Sequence, residues 1–106
     1  MEEQGDLLEL TATLARNWDI ECQEGAVWAE LKAALMGRLK ELIAHDFERL
    51  VQAMYRMDVQ ESKFAAAMAC SSVNEQAAAL AEIVLERELQ RLAFRKKYRQ
   101  GGNGQT

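Results

Sequence analysis

The chain of 106 residues contains no proline, the residue that most reliably breaks a helix interior. It has one histidine, His45, which excludes most paired-histidine metal and acid–base designs. Its two cysteines, Cys22 and Cys70, have neither Cys-x-x-Cys nor Cys/His spacing and are expected as free thiols in a reducing compartment. The longest uninterrupted apolar run, Phe64 to Cys70, is seven residues and mostly alanine, far short of the roughly 20 that span a bilayer. No membrane association is expected. The opening Met1-Glu2-Glu3-Gln4 is acidic where a secretory signal would be basic and then apolar, so the expected location is cytoplasmic. No glycine-rich phosphate loop occurs, and β-branched residues nowhere alternate with polar ones over a strand length.

What remains is helix-forming. Ala, Leu, Glu, Gln, Arg and Met dominate, and 49% of residues are hydrophobic, enough to bury one modest core. The reading is an all-α bundle in a single domain, residues 1–99, with 1–24 as a loosely attached acidic helix and loop. Residues 100–106, Gln-Gly-Gly-Asn-Gly-Gln-Thr, are expected to be disordered. The bundle is organised on one long helix over residues 26–57, where Trp28, Leu31, Leu35, Leu39, Leu42, Ile43, Phe47, Leu50 and Met54 form a stripe of helical period. Gly37, opposite the stripe, is the place where a break would be expected first. Around it stand a short helix at 6–16, with Leu7, Leu10 and Leu14 on one face and Asp6 as N-cap, a short helix at 59–70 and a long C-terminal helix at 75–98. The helices at 26–57, 59–70 and 75–98 form the core. Trp18 and Ile20 pin a loop over 17–25. Asp58 with Glu61 has the form of a capping box for the third helix, and either Ser72 with Glu75 or Asn74 caps the last.

Two acids fall on faces that should be buried. Asp46 lies four residues from both Leu42 and Leu50, and His45, Arg49 and Arg56 run down the flank beside it. A buried carboxylate needs a cation, so the spacing predicts an ion pair between Asp46 and Arg87 or Arg91 that fixes helix register. Glu88 sits within the apolar arc of Leu80, Ala81, Val84, Leu85, Leu89 and Leu92, with Arg91 and Arg95 near enough to pair.

The segment HDFERLVQAMYRMDVQESK at residues 45–63, with IVLERELQR at 83–91, resembles a group of short uncharacterised bacterial α-helical proteins sharing HDF, LV, YR-x-DV-x-E-x-K and ER-x-LQ. The resemblance covers roughly residues 42–95. It implies no known activity, cofactor or catalytic residue.

No catalytic site emerges. Glu41, His45 and Glu48 could form half a metal site, but the di-metal bundles need Glu-x-x-His on two helices and none occurs. No Ser or Cys has a histidine spaced to activate it. The expectation is a non-enzymatic protein without cofactor.

Charge is lopsided although the net is only −4. Residues 1–30 carry eight acids against one arginine, whereas residues 87–99 carry Arg87, Arg91, Arg95, Lys96, Lys97 and Arg99 against Glu88 alone. Such asymmetry is consistent with a basic arm for nucleic acid or an acidic partner, and equally with an acidic head folded against the basic tail, within one chain or between two. A helical protein-interaction or assembly module follows, self-associating as a homodimer or meeting another helical protein. The alternative is a nucleic-acid binder using Arg91, Arg95, Lys96, Lys97 and Arg99, with Phe94 and Tyr98 interleaved for stacking.

Overall fold

The computed structural model describes the backbone of residues 2–22 and 27–104, and the side chains of 7–22 and 27–98. These residues form five helices and no strand: α1 Glu2–Trp18, α2 Trp28–His45, α3 Phe47–Arg56, α4 Glu61–Met68 and α5 Val73–Gly104. The 32 residues of α5 extend about 48 Å at 1.5 Å per residue, matching the 50 Å long dimension of the molecule. This helix, rather than the 26–57 stretch, is the one along which the others lie. Its N-terminus is capped by Ser72, whose Oγ accepts from the Glu75 amide and donates to the Glu75 carboxylate. The Gln76 side-chain amide donates to the carbonyls of Met68 and Cys70, tying the end of α4 to the start of α5.

Neighbouring residues give the helix directions. Glu9 shares a groove with Phe94, Arg95 and Tyr98, while Arg16 shares one with Arg91, so α1 is antiparallel to α5. Lys32 pairs with Glu82, whereas Arg38, farther along α2, bonds to Trp18, which borders the same groove as Arg91. Thus α2 is parallel to α5. The Met57 end of α3 meets Arg87 while Arg49 lies with Arg91, and Met68 of α4 meets Gln76. Both short helices therefore run back along α5. The topology is down-up-down-up, a four-helix arrangement whose third member is broken in two.

The chain reverses at Asp46, and here the expected 26–57 helix is corrected. Asp46 has φ −152° and ψ 64°; its amide still donates to the Leu42 carbonyl, closing α2, while its carboxylate accepts from the Arg49 amide, opening α3. One aspartate ends one helix and caps the next. Its side chain is exposed, because a carboxylate kept wet at a cap avoids the several kcal/mol cost of burial and gains about 1 kcal/mol from the orphan amide. Gly37, by contrast, lies within an unbroken α2.

Core residues come from all five helices. Leu31, Leu35, Leu39 and Leu42 of α2 and Ala77, Leu80, Ala81, Val84 and Leu85 of α5 are buried across the most extensive helix contact in the fold. From α1 come Leu10, Leu14 and Trp18, so the acidic first helix is part of the core and not a loose attachment. Ile20 is buried just beyond it, as a pinned loop requires. Residues 23–26 of that loop lie outside the described residues. At the other end α5 continues to Gly104, past the expected end at Tyr98 and into the segment taken as disordered, since extending an existing helix adds a hydrogen bond per residue without a new nucleation cost. Residues 105–106 lie outside the described residues.

Two helix ends are built alike. After Trp18, Asp19 takes φ 55° and its amide bonds to the Ala15 carbonyl; after Met57, Asp58 takes φ 60°, its amide bonds to Tyr55 and the Val59 amide to Met54. The second is a Schellman ending with aspartate where glycine is usual. Asp58 therefore terminates α3 instead of capping α4, whose N-cap is Gln60. At each end an arginine from another helix donates Nε to the last carbonyl: Arg38 to Trp18 at 3.0 Å and Arg87 to Met57 at 2.9 Å.

A Cβ at Gly37 would meet nothing within 4 Å. Gly37→Ala should therefore raise stability by about 1 kcal/mol, read as a shift of the urea midpoint with unchanged slope.

Candidate functional site

The side chains singled out in the sequence separate into distinct places. Glu88 is 3% exposed and pairs with Arg91 at 3.2 Å one turn on, the pairing its spacing suggested. Asp46 joins neither Arg87 nor Arg91; the reversal of the chain carries it to the surface, where its partner is the backbone of α3. Arg87 is held by the Met57 carbonyl, by Asp58 at 3.9 Å and by Gln90 Oε1 at 3.4 Å. Arg95 borders a groove with Glu9, Phe94 and Tyr98 where α1 crosses α5, Lys96 is half-buried and Lys97 exposed. The side chain of Arg99 lies outside the described residues. Within the chain α1 packs on α5, and Glu9 borders the same groove as Arg95.

Two polar grooves stand out, one of mixed charge and one cationic. The first, about 420 Å³, lies beside α5 and is lined by Asp58, Val59, Gln60, Lys63, Ile83, Glu86, Arg87 and Gln90. Most of these residues carry the DV-x-E-x-K and ER-x-LQ patterns. Its cations and carboxylates are mixed, and its central guanidinium already has three acceptors, so the pattern serves here to staple the end of α3 to α5.

The second groove, about 430 Å³, is lined by Arg16 and Asn17 of α1, Arg49, Ala53 and Arg56 of α3, Arg91 of α5, and by Trp18 and Met57. Among the described residues four guanidiniums border it and no carboxylate does. The guanidiniums of Arg16, Arg49 and Arg56 have no hydrogen-bond or ion-pair partner among the described residues. The indole Nε1 of buried Trp18 has none either.

Against protein-family models, curated proteins and solved structures, the chain has no match. Among the described residues no three His, Cys, Asp or Glu side chains gather in a way that could hold a metal ion. His45 is exposed at the end of α2, and Cys22 and Cys70 are free.

A third feature is apolar. Phe47, Val51 and Tyr55 stand at i, i+4 and i+8 on α3 and are 43%, 40% and 81% exposed. Phe47 also meets the ring of Phe64 from α4, centroids 6.1 Å apart. At 100° per residue, Leu50, Ala53, Met54 and Met57 form the buried face between this stripe and Arg49 with Arg56. The pairing of Arg49 with Arg56, seven residues apart, is visible in the sequence; their meeting with Arg16 and Arg91 depends on helix packing and is not.

The roles assigned to Asp46, Asp58 and Arg87 have separable consequences. Asp46→Ala should cost about 1 kcal/mol and Asp46→Asn nearly nothing, since asparagine caps as well. A loss near 3 kcal/mol in a denaturant melt would instead indicate a stranded buried cation. Arg87→Ala should cost about 1–2 kcal/mol through the Met57 carbonyl, whereas Asp58→Gly should leave stability equal or higher by relieving the left-handed backbone. Equal losses at 58 and 87 would make the exposed ion pair the important contact.

Proposed function

We propose that the protein is a non-enzymatic helical interaction module that self-associates through the exposed Phe47, Val51 and Tyr55 stripe of α3. The observation that carries this reading is the position of three large apolar side chains, in helical register, on the solvent side of a helix whose core-facing side is already filled. A second copy of the chain suits it. The stripe is symmetric about Val51, with an aromatic four residues to either side, so two antiparallel copies set Phe47 of one against Tyr55 of the other. Antiparallel pairing also places helix dipoles in the favourable sense. A contact of one short helix falls below roughly 1,200 Å², the class of weak and transient interfaces, so the association belongs in the micromolar-to-millimolar range. Free cysteines suit a reducing, cytoplasmic setting, and no described helix is long and apolar enough to cross a membrane.

A second reading has its own support: Phe94 and Tyr98 are 68% and 74% exposed and stacked on each other beside Arg95 and Lys97, chemistry that could take single-stranded nucleic acid. The overall charge of −4 and the acids of α1 weigh against it.

Light scattering of the purified chain from about 10 μM to about 1 mM should show mass rising toward the dimer, a range set by the weak-interface class. Val51→Glu with Tyr55→Glu should remain monomeric at every concentration with its melting temperature unchanged. A wild-type chain that stays monomeric throughout would overturn self-association. Salt-sensitive binding of single-stranded RNA, lost when Arg95, Lys96, Lys97 and Arg99 become Gln, would transfer the function to the end of α5.

A further inference from the structure

We infer that the groove between α1, α3 and α5 binds a small, multiply charged phosphate anion, with Arg16, Arg49, Arg56 and Arg91 as its ligands. Two arginines outside the groove are held by specific acceptors, Arg38 by the Trp18 carbonyl and Arg87 by Met57, Asp58 and Gln90. In this groove only Arg91 is engaged, by Glu88, which leaves it 45% exposed. Three guanidiniums without partners beside a fourth repel one another, and among the described residues Glu88, paired with Arg91, is the one acid seen to offset that charge.

The geometry suits phosphate. Each guanidinium is a planar fork of five donors that matches paired oxyanion oxygens, and a phosphate or pyrophosphate presents enough oxygens to engage several forks, which a single carboxylate cannot. The four arginines are exposed, and the buried Trp18, Ala53 and Met57 supply the apolar part of the lining. The opening of about 430 Å³ falls within the size range of small-molecule sites. Three different helices enclose it, so the arrangement exists only in the folded chain. A long polyanion is disfavoured by the acidic residues of the rest of the chain, whereas a compact anion meets only the groove.

The site lies on the flank of α3 away from the Phe47, Val51 and Tyr55 stripe and does not depend on self-association. Trp18 supplies a probe within the site. In a Trp28→Phe protein, where exposed Trp28 no longer contributes, sodium pyrophosphate added at constant ionic strength should change Trp18 fluorescence saturably and raise the melting temperature by mass action. Replacing Arg49 and Arg56 by Gln should weaken that binding by about tenfold or more. The same double variant, without anion, should melt at the same temperature or higher, because it loses only repulsion. Arg95→Gln and Val51→Glu should bind as the parent does. A signal no larger than that of matched sodium chloride, or an undiminished response from the double variant, would overturn the proposal. A double variant that melts well below the parent would do so too, by giving these arginines a structural role instead.

Discussion

Everything in the fold rests on the contact between α2 and α5. Four leucines at 31, 35, 39 and 42 form one narrow apolar edge, and α5 contributes a face in which Ala77 and Ala81 alternate with Leu80, Val84 and Leu85. Alternation of small and large residues lets the helices approach closely, and nearly every one of these side chains is completely dry. At roughly 1.5–3 kcal/mol for each leucine removed from water, this seam is the largest favourable term available to the chain. The remaining helices cover its edges: α1 with Leu10, Leu14 and Trp18 on one side, and α3 with Leu50, Ala53, Met54 and Met57.

Covering that seam with short helices creates helix ends inside the bundle, and each end exposes backbone groups that need partners. The chain solves this twice with one device. An aromatic or thioether side chain is buried, an aspartate turns the backbone left-handed, an aliphatic residue follows, and an arginine from a neighbouring helix bonds the last carbonyl. Trp18-Asp19-Ile20 with Arg38 and Met57-Asp58-Val59 with Arg87 are the two cases. Aspartate tolerates the left-handed region better than a branched residue would, and the apolar neighbours fix the direction in which the chain leaves. These arginines therefore hold the fold together by closing helix ends.

The helical class was legible because nothing in the sequence competes with it: no proline, no strand-like alternation, and stripes of three-and-four spacing from Leu7 to Leu92. The Ser72–Glu75 cap and the Glu88–Arg91 pair were legible too, since both are local and follow from spacing along one helix. Asp46 was misread because the apolar stripe continues in register from Leu42 to Leu50 across the reversal, and periodicity alone cannot distinguish a straight helix from two that fold back on each other. The residue three beyond Asp46 is Arg49, not Glu or Gln, so half of the usual start signal was missing. The arginine groove escaped for another reason. Its members lie at positions 16, 49, 56 and 91 on three helices, and only the directions of those helices bring them together.

Reversal at Asp46 also determines what α3 can present. Had the chain continued straight, the stripe from Trp28 to Met54 would have been one seam with a single use. Folding back divides the circumference of a ten-residue helix into three: a buried face, an apolar flank at Phe47, Val51 and Tyr55, and a cationic flank at Arg49 and Arg56. Both flanks are held at fixed angles because α3 is anchored at its start by the Asp46 cap and at its end by Arg87. A substitution on one flank faces solvent or a partner and leaves the buried face intact, so the two surfaces can be altered independently. Substituting Leu50 or Met54 would instead loosen both flanks together, because the buried face sets the orientation of each.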